Sequence, residues 1–240
     1  MATCTLAAAI SDTAAGPISS GAFTPAANDL LVCVVWGTGT SLVDTDLVIS
    51  STGNTAAWTR LGTGIIFETA GNNGRGAVFA QNALATAVST DVTATFNVDN
   101  STGNHIRIYR ISGMTNTGVA ALRQFAKDEV VASGTPQIAA FAAVCLTDNP
   151  VIVSVHDEGT ADGWTPPTDW TESTTPDAEQ QILTPTSRCD IAHRDSGFTG
   201  TTITWGSAST GAYSSVAVEF DASGGEPPPT GIFGYDIGMT

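Results

Sequence analysis

The side chains of this 240-residue chain that could do chemistry are three histidines, four cysteines, a few crowded carboxylates and five tryptophans, and their spacing argues against most of that chemistry. His105, His156 and His193 each fall at or near the end of a strand-like run, so exposed imidazoles are expected. His193-Arg194-Asp195 spells a kinase catalytic-loop tripeptide, but it lacks the Gly-rich loop, strand lysine and Asp-Phe-Gly that would give it that role. No Gly-x-Ser-x-Gly elbow accompanies the histidines, and neither they nor the cysteines fall at zinc-ligand spacing. Cys4, Cys33, Cys145 and Cys189 form no C-x-x-C pair and read as buried free thiols. Bridges Cys33 to Cys145 or Cys4 to Cys189 are the alternative.

Carboxylates crowd two loops. Asp157, Glu158 and Asp162 lie in one, and Asp44 and Asp46 in what looks like its counterpart earlier in the chain. Oxygen-rich loops can hold calcium, and glycosidases use carboxylate pairs. Neither loop has the EF-hand pattern and no E-x-D-x-E strand is present, so solvated loops are expected, with calcium at Asp157 to Asp162 as the alternative. No enzyme activity and no cofactor are expected. Trp164, in Asp162-Gly163-Trp164-Thr165-Pro166-Pro167, is expected to pack on its own prolines, and is at the same time the best candidate for an exposed aromatic contact as the alternative.

The elements that would carry these residues are strands, arranged in two halves that repeat one order of segments. Asp29 to Trp36 is answered by Asn149 to His156, Trp58 by Trp170, Arg75 to Ala80 by Arg188 to His193, and His105 to Ile111 by Tyr213 to Phe220. A period above 100 residues excludes a solenoid and indicates a duplicated sheet-forming unit. Val92 to Val98 alternates apolar with polar residues, as does Ser215 to Phe220, where Val216, Val218 and Phe220 share a face. Leu30 to Trp36 is apolar throughout, which suits a central strand covered on both sides. Gly118 to Glu129 is the best helical stretch, though it reads equally as a strand leaving a turn. The fold class is therefore all-β, an antiparallel double-sheet sandwich of two pseudo-repeated halves, about 1–113 and 114–222. With only a short polar turn at Gly113 to Gly118, a single sandwich in which each half adds strands to both sheets is favoured over two separate ones.

Twenty-three acidic residues against eight basic give a formal charge of -15, and Lys127 is the sole lysine. Nucleic-acid backbones and anionic membranes are poor partners for such a chain. Met1 to Leu6 lacks the basic and apolar regions of a signal peptide, so synthesis and folding in a cytoplasm are expected. Composition breaks after Ala222. Residues 223–231 form a Gly/Pro linker containing Pro227, Pro228 and Pro229, and 232–240 form a tail carrying Ile232, Phe233, Tyr235, Ile237 and Met239. Alternating apolar residues on an extended tail suit strand addition to a sheet edge, so these eight residues form a candidate interface, docking on a neighbouring subunit or on the same chain, with an undocked, solvated extension as the alternative.

Phe23-Thr24-Pro25-Ala26-Ala27-Asn28-Asp29-Leu30-Leu31-Val32, Thr165-Pro166-Pro167-Thr168-Asp169-Trp170-Thr171-Glu172 and Ser214 to Phe220 resemble the jelly-roll virion proteins of tailed bacteriophages, in segment order across residues 1 to 222. The resemblance implies a jelly-roll sandwich, no catalysis and assembly in many copies, often as trimers. It implies a capsid decoration (cement) protein on the outer capsid surface, with the major capsid protein and copies of itself as partners. A carbohydrate-binding adhesion module of a tail fibre, using Trp164 and the Asp157 to Asp162 loop, is the alternative.

Overall fold

The computed structural model describes residues 1–13, 16–39, 47–69, 72–96, 101–131, 136–157, 164–183, 186–208 and 213–222. The linker and the tail, and with them Pro227, Pro228, Pro229, Ile232, Phe233, Tyr235, Ile237 and Met239, lie outside these residues, as do Asp44, Asp46, Glu158 and Asp162.

In the first half, strands β1 (Thr3–Asp12), β3 (Leu30–Gly39), β5 (Trp58–Thr69), β6 (Asn72–Gln81) and β8 (Ser101–Ser112) form a five-stranded sheet in the order β1-β8-β3-β6-β5. Strands β2 (Ile18–Ser19), β4 (Leu47–Thr52) and β7 (Asp91–Phe96) form a small sheet, β2-β7-β4. The second half repeats the plan. Strands β9 (Leu122–Val131), β11 (Val151–Asp157), β12 (Thr171–Glu172), β13 (Gln180–Leu183), β14 (Thr186–Arg194) and β16 (Tyr213–Phe220) form a sheet running β9-β16-β11-β14, with β12 and β13 both pairing with β14. Strands β10 (Pro136–Ala140) and β15 (Thr202–Ala208) pair as its small sheet. Every pairing among the described residues is antiparallel.

The duplication is therefore real at the level of strand order, but the halves do not share sheets as expected. Each sheet draws its described strands from one half alone. Three apolar clusters show how the layers stack. Cys33, Val35, Phe79, Val92, Ala94, Phe96 and Ile108 pack the first half's large sheet on its small one, and Val151, Val153, Val155, Trp164, Ile203 and Trp205 do the same in the second half. The third cluster joins the two large sheets back to back through Leu30, Val32, Val34, Trp36, Tyr109, Ile111, Ile152, Ile191, Val216, Val218 and Phe220. This central layer explains the apolar run Leu30 to Trp36: even-numbered residues face the other half and odd-numbered ones face their own small sheet.

Residues 118–129 resolve as the strand reading. A 3-10 turn, Gly118–Ala121, leads directly into β9. Trp58 and Trp170 hold matching places, since Thr59 pairs with Ala80 and Thr171 with His193, and each tryptophan packs half-buried against its own half's outer cluster. All four cysteines are buried free thiols.

Candidate functional site

The three histidines are not at the surface. His105 and His156 are fully buried and His193 is 6% exposed, because the strand ends that carry them lie in or beside the layer between the two large sheets. Cross-strand pairing sets this up: His105 sits beside Trp36 on β8, and His156, Ser154 and Ile152 line the face of β11 turned toward it. Val151, Val153 and Val155 share the face of β11 that meets its own small sheet, and periodicity alone does not reveal that the opposite face meets a second large sheet.

Donor counting orients the buried network. Gln180 Nε2 donates to the Ala9 carbonyl at 3.1 Å, which leaves Oε1 to accept from the Ser11 hydroxyl at 2.7 Å. With its hydrogen spent, Ser11 Oγ can only accept from His105 Nδ1 at 2.5 Å, so the His105 proton sits on Nδ1. His105 Nε2 then accepts from Ser187 Oγ at 2.8 Å, and Ser187 in turn accepts from Nε2–H of His156 at 2.8 Å and from Thr38 at 3.2 Å. The result is a one-way chain, His156 to Ser187 to His105 to Ser11 to Gln180, that stitches the halves together. Burial holds both imidazoles neutral, with the nearby Arg107 guanidinium adding to the effect, and His156 is lowered to about 3. Arg107 is itself buried and donates to the carbonyls of Ala178 at 3.1 Å and Ile10 at 2.9 Å. Further along, Tyr109 Oη meets His193 Nδ1 at 3.3 Å, and Asp195, near His193, accepts from the Cys4 amide at 2.7 Å.

Trp164 is likewise inside: at 3% exposure it belongs to the second half's outer core, with the Arg188 guanidinium 5.0 Å over its ring. Its indole is covered in that core, which rules out the exposed contact considered for it; it is packed, as favoured, though within the outer core. Asp157 is also buried, as the last residue of β11 rather than part of a solvated loop.

One carboxylate cluster was not anticipated. Glu172 ends β12, Glu179 immediately precedes β13 and Asp190 lies mid-way along β14, opposite the break between those two short strands. Ligand oxygens of the three lie within 4.8 Å of one another. Asp190 is fully buried, while Glu172 and Glu179 are half-buried. Arg188 is ion-paired with Glu179. Burial, reinforced by the Glu172 charge, raises Asp190 from 3.8 to about 8, and burial raises Glu172 as well. Residues 18 positions apart in sequence carry no motif that would have flagged them. The signal available was the failure of the repeat: pairing register places Arg60 and Ala77 of the first half where the second has Glu172 and Asp190.

No protein-family model matches the chain, and a search of curated proteins gives no match.

Proposed function

We propose that this chain is a non-enzymatic structural protein of a phage virion, a capsid decoration protein that bridges neighbouring major capsid subunits and stabilises the head. The observation that carries this reading is where the chain spends its reactive side chains. Three histidines and four thiols are all built into packing between or within the sheets, where they bond internally or pack against apolar neighbours. Two sandwiches joined back to back make a thick, cross-linked block, and the acidic, lysine-poor composition keeps such a block soluble at high local copy number. The resemblance of residues 1 to 222 to phage virion proteins supports the same reading, with each half taken as a jelly-roll-type sandwich.

In this reading the protein sits on the outer capsid surface, as a trimer or another homo-oligomer, and contacts neither nucleic acid nor membrane. Small interfaces repeated over a lattice supply stabilisation through avidity. The apolar tail, Ile232 to Met239, locks one subunit to the next by adding a strand to a neighbour's sheet edge.

Heating purified virions with and without the protein tests this. Heads that lack it should release DNA at lower temperature, full-length protein should restore resistance, and a chain ending at Gly224 should not. Equal heat resistance, or absence of the protein from purified virions, would sink the proposal.

A further inference from the structure

The geometry points to a divalent-cation site of the calcium class formed by Glu172, Glu179 and Asp190 at the edge of the second half's large sheet. Three observations carry it independently of the role proposed above.

The first is charge. Three carboxylates converge within 4.8 Å, and the guanidinium paired there, Arg188, offsets one of them. With all three carboxylates ionised two formal negative charges would remain, so one divalent ion would balance the site in place of the proton that Asp190 otherwise keeps. The second is an unused ligand. Asp190 is fully buried; its Oδ1 accepts from the Ile191 amide at 2.6 Å, whereas Oδ2 meets no nitrogen or hydroxyl donor among the described residues, and the carboxyl's other hydrogen-bonding neighbour is the Glu172 carboxyl. A buried carboxylate oxygen turned toward another carboxylate needs either a proton or a cation between them. The third is the departure from the repeat. Register places a cation, Arg60, and an alanine, Ala77, in the first half where the second has Glu172 and Asp190, so the shared fold does not require carboxylates at those two places.

The ligand set selects the ion. All the donors are carboxylate oxygens, which suit calcium, or magnesium more weakly, and leave out the nitrogen and sulfur that favour zinc or copper. Glu172 and Glu179 are half-buried and open the site to solvent, so water can complete the coordination shell. The break between β12 and β13 lets acids from two chain segments reach across to Asp190; a bound ion would join both segments to β14.

Terbium luminescence and thermal melts of the full-length chain test the site. Terbium should bind in place of calcium and emit through excitation of tryptophan, Trp164 lying over the neighbouring Arg188, and calcium should quench that emission by competition. Calcium at about a hundredfold over its dissociation constant should raise the melting temperature by roughly 5 °C, and a chelator should reverse the shift. The double variant Glu172→Gln, Glu179→Gln, which alters half-buried groups and so spares the core, should lose both signals. Asp190→Asn should lose them too. The site is refuted if calcium changes neither signal, or if the double variant keeps the full melting shift, which would place any bound calcium elsewhere.

Discussion

Trp36 and His156 occupy the same place in the two halves of the chain and stack on one another, ring centroids 5.4 Å apart and planes 23° from parallel. Trp36 stands between His105 and Gly76 on the neighbouring strands, as His156 stands between Ser214 and Cys189. The duplicated strands thus meet through equivalent residues that have diverged into an aromatic donor and a hydrogen-bonded imidazole. Trp36 Nε1 also donates to Ser154 Oγ at 3.0 Å, tying the same two strands a second time.

Removing that contact should loosen the joint between halves. Trp36→Ala should cost about 3–5 kcal/mol and Trp36→Phe, which keeps most of the packing but loses the bond to Ser154, about 1 kcal/mol. Gly76→Ala should cost about 1–3 kcal/mol, because a Cβ there would run into the Trp36 ring. Urea denaturation of the three variants reads the order directly.

The histidine chain predicts acid sensitivity. Both imidazoles are neutral when folded and titrate near 6.5 when unfolded, so their contribution is present above pH 6.5 and is lost as pH falls toward about 3 for His156. Each should lower stability by at most about 1.4 kcal/mol per pH unit below 6.5. Ser187→Ala, which strands both ring nitrogens, should destabilise by about 2 kcal/mol or more at neutral pH. Melting temperatures from pH 4 to 8 check both.

Asp190 predicts the opposite slope in chelator. Its folded pKa of about 8 lies above the unfolded 3.8, so the stability of the protonated form is complete below pH 4 and drains away as pH rises through 8. Asp190→Asn should flatten that limb and be the more stable protein at pH 9 without divalent ions. A steep alkaline loss in the variant would contradict this.

Glu219 holds the far end of the second half. Fully buried, it accepts from Arg123 at 2.6 Å, Gln124 at 2.6 Å, the Leu146 amide at 2.8 Å and Asn149 at 2.8 Å. Glu219→Ala strands a buried guanidinium and should cost about 3–5 kcal/mol. The double variant with Arg123→Met should recover part of that loss, as a double-mutant cycle in urea would show.

Much of the architecture was legible in the residues themselves. Alternation in Val92 to Val98 and in Ser215 to Phe220, the unbroken apolar run of β3 and the matched tryptophans Trp58 and Trp170 identify strands, shared faces and the duplication, because side-chain period and local pairing are short-range properties. What lies across from each face is a long-range fact that no period encodes. Only the tertiary structure decided that the halves stack as two sandwiches rather than interleave, that His105 and His156 are sealed in the joint, that Trp164 is core, and that Glu172, Glu179 and Asp190 converge. The same polar residue is solvated on an open face and part of a shared hydrogen-bond network on a covered one, and it is the packing of one sheet on another that chooses between them.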